Sequence, residues 1–267
     1  MSIVTLLTDF GTADTYVAEI KGAVLQIAPG ATLVDVTHEI ALGDVAAAAY
    51  ALGRLWPQFP PGSVHLVVVD PGVGSDRRAL VVEAAAHRFV APDNGLLSSA
   101  LEQRGAKAFS LPIPPDASPT FHGRDVFAPA AGRLATGAVA AGLGEPVTDP
   151  VRLPRPVLTR KKGDLVGQVV HVDRFGTLVT NLPAAKIGPK AIVRIGVYEL
   201  PLRRTFADVG SGEPLAFIGS GGTIEIGIRD GRADNVLGAT RGAEVRATAR
   251  PTEHPAPRAS RTTLSGH

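Results

Sequence analysis

Acidic and basic side chains follow short apolar runs of this sequence, where they could bind a polar ligand or move a proton. Asp9 and Asp70 each come directly after a run typical of a buried strand. Arg77 lies beyond Asp70 across a glycine-rich loop, so a carboxylate and a guanidinium could face each other over a pocket. His122 precedes an apolar helical stretch and could act as an acid, a base or a hydrogen-bond donor. Taken alone, such residues more often serve turns, helix caps or the solvated surface.

Further polar residues stand at turns in the C-terminal half of the chain. Asp173 and Asn181 end two strand-like runs, and Ser220 begins a glycine-rich turn before another. Each of these residues alone also fits ordinary turn chemistry. The sequence therefore indicates two groups of polar residues as candidates for a functional site, one in each half of the chain.

The composition restricts the classes of protein to which the chain can belong. Its 267 residues, 45 % of them hydrophobic, are enough for one large domain or two modest ones with a buried core. The lack of cysteine excludes disulfides, thiolate chemistry and cysteine-ligated metals. A net charge of +2, without a basic block interleaved with aromatic residues, predicts no binding of nucleic acid. No apolar run reaches ~18 residues and no signal-peptide pattern opens the chain, so we expect a cytoplasmic protein without a membrane span.

Short apolar runs alternate with helical patterns in the first half of the chain. Val17, Ile20, Val24 and Ile27 recur at helical spacing and predict an amphipathic helix. The predicted strands cover residues 3–8, 32–37, 64–69, 79–84 and 88–91, and the other predicted helices cover 44–56, 96–103 and 125–134. This alternation is typical of an α/β domain with a central, mostly parallel sheet and helices on both faces.

Strand-like runs with few helical signals follow a proline-rich segment in the second half. They cover residues 165–172, 178–180, 191–195, 215–218, 223–228 and 243–249, and with their glycine-rich turns they predict a small β-barrel or sandwich. We therefore divide the chain into an N-terminal α/β domain at 1–148, a linker at 149–163 and a C-terminal β-barrel domain at 164–250. The remaining residues, 251–267, are expected to form a disordered tail.

Five short motifs, taken together, resemble those of the S-adenosylmethionine hydroxide adenosyltransferase family, which is related to the fluorinating and chlorinating adenosyl halogenases. In chain order they are Thr8-Asp9-Phe10-Gly11, Asp70-Pro71-Gly72-Val73-Gly74 with Arg77, Ala91-Pro92-Asp93-Asn94-Gly95, Phe121-His122-Gly123-Arg124-Asp125, and Asp173 with Phe175-Gly176 and Thr180-Asn181. Any one of these motifs is weak, whereas five in the same order with similar spacing are specific.

The resemblance implies an architecture and an assembly. It implies an N-terminal α/β domain, a C-terminal β-barrel and a homotrimer, in which the substrate lies between the N-terminal domain of one subunit and the C-terminal domain of its neighbour. It also implies a hydrolytic triad at Asp70, Arg77 and His122. The halogenases differ at this triad, since they have Tyr at the place of His122 and lack the acid at the place of Asp70.

The resemblance further implies which residues bind the substrate, S-adenosyl-L-methionine. Asp9 matches the carboxylate that holds the ribose hydroxyls. The remaining candidate contacts, around the methionine and adenine ends, are Phe121, Asp173, Thr177, Asn181, Ser220, Ile228 and Asp230. The family commonly has Asn at the places of Thr177 and Asp230, so backbone groups at 228–231 are the alternative contacts for adenine.

The chemistry of this substrate demands no cofactor. Its leaving group is a neutral thioether, which needs neither an acid nor a metal, so the difficulty lies in activating water as the nucleophile. We therefore expect hydrolysis to adenosine and L-methionine by in-line attack on the ribose C5′, with Asp70 either accepting a proton or orienting its neighbours. The alternatives are a metal-dependent hydrolase that uses Asp9, Asp14, Asp70 and His122, and a nucleoside-binding protein without catalysis.

Overall fold

The computed structural model of this protein describes residues 2–188 and 190–248. The chain forms two compact units, the first ending at Arg155 and the second beginning at Pro156. The predicted linker at 149–163 contains this boundary, and the domain limits of 1–148 and 164–250 stay predictions. The tail expected at 251–267 lies outside the described residues.

A seven-stranded sheet forms the centre of the first unit. Its strands are β1 (Ile3–Thr8), β2 (Thr32–Thr37), β3 (Val64–Val68), β4 (Ala79–Ala84), β5 (His87–Pro92), β6 (Lys107–Leu111) and β7 (Glu145–Val147), in the order β2-β1-β3-β5-β4-β6-β7. The pairs β1–β2, β1–β3 and β3–β5 are parallel, whereas β5–β4, β4–β6 and β6–β7 are antiparallel. The predicted α/β class is confirmed, and the sheet is mixed, with one parallel and one antiparallel half.

Helices cover both faces of this sheet. They are α1 (Tyr16–Ile27), α2 (Val45–Leu55), α3 (Ser98–Leu101) and α4 (Ala128–Ala135), with a π-helical turn at Gly123–Phe127 and 3₁₀ turns at Trp56–Gln58 and Ala140–Gly142. Leu6 belongs to the core cluster that contains residues of α1 and α4, and Leu7 to the cluster that contains residues of α2 and α3. Because consecutive strand residues point to opposite faces, the two clusters lie on opposite sides of the sheet.

The order of the strands fixes the path of the loop that carries Asp70 and Arg77. This loop joins β3 to β4, yet β5 lies between these two strands and pairs with both. Since β5 runs parallel to β3 and antiparallel to β4, its last residues lie beside the end of β3 and the start of β4. The loop therefore crosses the carboxyl end of β5.

A pair of buried histidines lies within the sheet of the first unit. His65 is fully buried, its Nδ1 lies 2.9 Å from Oγ1 of Thr5, and its Nε2 lies 3.1 Å from Nδ1 of His87. The two imidazole rings stack, and the ring of Phe89 stacks on His65. Burial, and then the neighbouring His87, lower the pKa of His65 to about 3.

This buried pair predicts that the fold loses stability in acid. The unfolded chain binds a proton at His65 below about pH 6.5, whereas the folded chain does not until about pH 3. The folded state therefore becomes less stable as the pH is lowered from about 6.5 to about 3. Between pH 7 and pH 5 the loss from His65 alone is expected to be about 2 kcal/mol. Urea unfolding measures this loss of unfolding free energy between pH 7 and pH 5. We expect the loss in His65→Phe to be smaller than that in the wild type by about 2 kcal/mol. Equal losses in the two proteins would show that His65 does not titrate in this way.

In the described part of the second unit, which ends at residue 248, there are eight strands, and seven of them close into a barrel. The strands are β8 (Thr159–Lys161), β9 (Asp164–Val172), β10 (Leu178–Pro183), β11 (Ile192–Ile195), β12 (Tyr198–Arg203), β13 (Pro214–Ile218), β14 (Thr223–Ile228) and β15 (Glu244–Thr248). Their order is β10-β14-β13-β12-β11-β15-β9-β8, and pairing of β10 with β9 closes the barrel and leaves β8 outside it. The unit also has a helical turn α5 (Ala233–Val236) and 3₁₀ turns at Ala184–Lys186 and Phe206–Asp208. The predicted C-terminal β-barrel is confirmed.

The sequence patterns miss the strands β6, β7, β8 and β12. The strands β7 and β8 have only three residues each, and each pairs on one side only. The strand β12 contains Pro201, which argues against a strand interior. Across residues 2–188 and 190–248, no helix combines the length and apolar character that a membrane crossing requires. The cytoplasmic location stays a prediction.

Candidate active site

Arg77 lies at the centre of the predicted triad and contacts both other members. Its Nε donates to Oδ1 and Oδ2 of Asp70 at 3.1 and 3.0 Å, and its Nη2 donates to Oδ2 of Asp70 at 2.5 Å. The same Nη2 lies 2.8 Å from Nδ1 of His122. The side chains of Asp70 and Arg77 are only 6 % and 9 % exposed, so water screens this ion pair little. The structure thus brings all three predicted residues together.

Hydrogen-bond chemistry fixes the tautomer of His122. A guanidinium has only N–H donors, so Nδ1 of His122 must accept the bond from Arg77. The imidazole is then neutral and carries its proton on Nε2. Burial lowers the pKa of His122, and the positive charge of Arg77 lowers the pKa further. The site therefore holds His122 as a neutral side chain that can donate a hydrogen bond from Nε2.

Arg77 also has a donor that no group of the site uses. Among the residues that the structure describes, none accepts a hydrogen bond from the buried Nη1 of Arg77. The guanidinium carbon lies 5.2 Å from the centroid of the buried Phe127 ring. Buried donors are nearly always paired, and the bond is strongest when donor and acceptor are both charged. An oxygen of a bound water or ligand, above all an anionic one, would satisfy this Nη1.

A glycine allows the loop of Arg77 to approach the segment before His122. Gly74 has a φ of +78°, and a Cβ added there would lie 2.6 Å from the carbonyl oxygen of Pro119. Only glycine accommodates both this conformation and this contact. The two segments that supply the triad thus pack directly on one another.

Asp9 follows β1, which is the neighbour of β3 in the sheet. Its Oδ2 accepts a hydrogen bond from the backbone nitrogen of Gly43 at 2.8 Å. Gly43 in turn packs on Pro71, since a Cβ added to Gly43 would lie 3.6 Å from the Cβ of Pro71. The backbone of Gly43 therefore orients Asp9 beside the loop of the triad, a role for which the sequence carries no signal. Among the described residues, none donates a hydrogen bond to the second carboxylate oxygen of Asp9.

Phe121 belongs to a cluster of three aromatic rings in the first unit. Its ring meets those of Phe10 and Tyr16 edge-on, with centroids 6.1 and 5.3 Å apart. Phe10 follows Asp9, and Phe121 precedes His122, so the cluster ties the segment of Asp9 to that of the triad. Arg124 covers the Phe121 ring at 4.9 Å from its centroid.

Most of the candidate contacts in the second unit line one cleft of about 940 Å³. These are Asp173, Thr177, Ser220, Ile228 and Asp230. Oδ1 of Asp173 accepts hydrogen bonds from the backbone nitrogens of Phe175 and Thr177 at 2.9 and 2.8 Å, so Asp173 also shapes the turn at the rim. The cleft contains two aromatic rings that the sequence does not nominate, Phe206 and Phe217, with centroids 5.0 Å apart.

Asn181 has a different environment from the one expected of a substrate contact. Its Oδ1 accepts a hydrogen bond from the backbone nitrogen of Gln168 at 2.7 Å, and its Nδ2 donates to the carbonyl of Pro156 at 3.1 Å. Asn181 does not line the cleft. The structure gives this side chain the task of fixing the start of the second unit to the barrel.

The described residues offer no arrangement suited to a metal ion. Within 2–188 and 190–248, no three or more His, Asp or Glu side chains form a group that could hold one. Of the four ligands of the metal-dependent alternative, Asp70 and His122 both accept hydrogen bonds from Arg77, and Asp14 is exposed. A guanidinium between two ligands opposes the binding of a cation.

Both units match models of one protein family. Residues 4–144 match the SAM hydroxide adenosyltransferase N-terminal domain, and residues 167–246 match the C-terminal domain of the same family. In structure, the chain is similar to an uncharacterized conserved protein from Thermotoga maritima, with a TM-score of 0.84, 33 % identity, and 91 % of this chain and 99 % of that chain covered. It is also similar to a conserved hypothetical protein from Thermus thermophilus, with a TM-score of 0.78, 39 % identity, and 92 % and 100 % covered.

Curated relatives include hydrolases and, at lower identity, fluorinases. The chain is 42 % identical over 260 residues to the (R)-S-adenosyl-L-methionine hydrolase of Thermus thermophilus. The matched region covers 92 % of this chain and 99 % of that protein. It is 37 % identical to the protein of that name from Salinispora tropica, with 92 % and 97 % covered. A fluorinase from Actinoplanes is 33 % identical, with 84 % and 90 % covered. With both units matched and the relatives covered almost end to end, the chain belongs to the S-adenosylmethionine hydroxide adenosyltransferase family.

Proposed function

We propose that this enzyme hydrolyses S-adenosyl-L-methionine to adenosine and L-methionine by in-line attack of an activated water on the ribose C5′. The names of the relatives indicate the (R) epimer at sulfur as the substrate. The observation that carries the proposal is the buried Nη1 of Arg77, a charged donor without an acceptor among the described residues. A hydroxide-like oxygen bound to this donor would be stabilised by both its positive charge and its hydrogen bond.

The triad supplies what this reaction lacks, which is a strong nucleophile near neutral pH. Arg77 favours the anionic form of a bound water by its charge, and the Nε2 proton of His122 can donate a second hydrogen bond to it. Asp70 holds Arg77 through both carboxylate oxygens and so fixes the direction of its remaining donor. The water releases its proton to solvent, the resulting hydroxide forms the bond to C5′, and the C5′–S bond breaks with its electron pair staying on the sulfur of methionine.

Reaction in isotopically labelled water tests the proposal directly. We expect the label in the 5′-hydroxyl of adenosine, none in methionine, unchanged activity in EDTA, and a preference for the (R) over the (S) sulfonium epimer. Loss of activity in EDTA would favour the metal-dependent alternative, and unchanged substrate would favour a binding protein. A 5′-halogenated adenosine formed in chloride or fluoride would instead indicate a halogenase.

Asp9 is proposed to hold the ribose, since its second carboxylate oxygen can accept from the ribose hydroxyls. We expect Asp9→Asn to weaken adenosine binding by about 10- to 100-fold, the value of one or two hydrogen bonds to a charged group. The preference for adenosine over 2′-deoxyadenosine should shrink in parallel. Calorimetry measures both affinities, with Asp116→Asn, an exposed carboxylate of the same unit, as the control. Unchanged adenosine affinity in Asp9→Asn would remove Asp9 from the ribose site.

The homotrimer with intersubunit sites is part of the proposal. Apolar side chains near the cleft of the second unit support it, since Phe175 and Ile218 are 75 % and 57 % exposed and a partner would cover them. Co-expression of Arg77→Ala and Asp173→Ala chains tests it. Mixed assemblies regain activity if one subunit supplies the triad and its neighbour the cleft, and they stay inactive if each chain builds its own site.

A further inference from the structure

We propose that Asn94 is a positioning residue that sets the geometry of Asp70 and Arg77 from outside the triad. The inference rests on the proposed function and goes beyond it, since the hydrogen bonds of Asn94 within the described residues go to Val69, Leu96 and Pro92 and not to the triad side chains. It starts from the loop that crosses the carboxyl end of β5. Asp93 and Asn94 are the first two residues beyond that end.

The two residues hold both ends of the crossing loop. Nδ2 of Asn94 donates to the carbonyl oxygen of Val69 at 2.9 Å, and Val69 is the residue directly before Asp70. The backbone nitrogen of Asp93 donates to the carbonyl oxygen of Arg78 at 2.9 Å, and Arg78 is the residue directly after Arg77. One dipeptide therefore holds the peptide group directly before Asp70 and the peptide group after Arg78, one residue beyond Arg77.

Other hydrogen bonds hold the rest of this turn in place. The almost fully buried carboxylate of Asp93 accepts from Nε of Arg78 at 2.7 Å and from the backbone nitrogen of Val151 at 2.8 Å. Oδ1 of Asn94 accepts from the backbone nitrogen of Leu96 at 3.3 Å. The bond to Val69 is then the one contact of the Asn94 side chain that bears on the start of the loop.

This placement predicts a kinetic effect that a general loss of stability does not produce. Release of Val69 lets Asp70 shift, and Arg77 follows because both carboxylate oxygens of Asp70 hold it. A displacement near 1 Å at the reacting groups lowers turnover by about 100-fold. Withdrawal of the guanidinium from Nδ1 of His122 also raises the pKa of His122, since Arg77 is one of the causes that lower it.

We expect Asn94→Ala to lower kcat by about 10- to 100-fold, leave KM nearly unchanged and move the acid limb of the pH–rate profile to higher pH. The matched control is Ser98→Ala. Ser98 lies just after the same turn. Its hydroxyl donates to the carbonyl oxygen of Gly95 and accepts from the backbone nitrogen of Leu153, and neither of these residues belongs to the crossing loop. Both variants lose local hydrogen bonds, so thermal melting should fall in both, whereas the pH limb should move only in Asn94→Ala.

The result that overturns the proposal is an Asn94→Ala enzyme whose kcat and acid limb match those of Ser98→Ala. Failure of the wild type to hydrolyse the substrate would instead reject the proposed function itself. If Asn94→Ala does not fold, Asn94→Asp keeps the shape and the acceptor for Leu96, removes the donor to Val69 and places a carboxylate oxygen against the carbonyl of Val69. A folded Asn94→Asp enzyme with wild-type kcat would equally overturn it.

Discussion

Replacement of Arg77 by lysine is expected to lower kcat by about 100- to 1,000-fold, the value of a donor that stabilises charge in a buried site. Lysine keeps the positive charge, so a purely electrostatic role would survive this change. The proposed role is geometric as well, because one guanidinium binds Asp70 through Nε and Nη2, contacts His122 and keeps Nη1 unpaired among the described residues. A single ammonium group cannot occupy these positions at once.

Steady-state kinetics and substrate binding measure this effect separately. We expect KM and the affinity for adenosine to change little, since the triad acts on the nucleophile. Arg194→Lys is the matched control, because Arg194 joins Asp164 and Glu199 on the barrel at 3.0 and 2.9 Å without lining the cleft. An Arg77→Lys enzyme with near-wild-type kcat would contradict the assignment of Arg77.

Variants of Arg77 also distinguish the two roles left open for Asp70, proton transfer and the orientation of its neighbours. Both oxygens of Asp70 accept hydrogen bonds from Arg77, which favours an orienting role over proton transfer. If Asp70 acts only through Arg77, Asp70→Ala should cost almost nothing more once Arg77→Ala is present. A further large loss in the double variant would show that Asp70 acts on the substrate or the water by itself.

The sequence predicts the secondary structure of the first unit well where apolar periodicity is strong. The predicted strands 3–8, 32–37 and 79–84 coincide with β1, β2 and β4. The direction of pairing is a property of the whole sheet, and the antiparallel half depends on β6 and β7, whose short segments carry little periodicity. The same limit applies to β12, whose Pro201 pairs with Ile192 of β11 in the barrel.

The sequence predicts the members of the triad but not the contacts that set their protonation and orientation. Asp70, Arg77 and His122 stand out as chemical types at strand and loop ends, and the resemblance to a family orders them. The acceptor role of Nδ1 in His122 depends on a contact across 45 residues of chain. Likewise, nothing in the spacing shows that Asn94 binds Val69, since that contact follows from the crossing of β5 by the loop.

His122 offers the sharpest test of the chemistry, because its tautomer predicts which substitution preserves activity. With Nδ1 accepting from Arg77, we expect the imidazole to work as a neutral donor through Nε2 rather than as a base. Glutamine also carries an N–H donor at comparable reach, whereas alanine has none. We therefore expect His122→Ala to lower kcat by about 100- to 1,000-fold, and His122→Gln to retain at least about ten times the kcat of His122→Ala.

The pH dependence of these variants completes the test. Protonation of His122 would place a donor on Nδ1 against the donor of Arg77, so the wild type should lose turnover as the pH falls through the pKa of His122. Burial and Arg77 lower that pKa, so the loss is expected below pH 6.5. His122→Gln cannot titrate and should lack this acid limb. If His122 were instead the general base, His122→Gln would be as inactive as His122→Ala, because an amide cannot accept the proton of water at neutral pH.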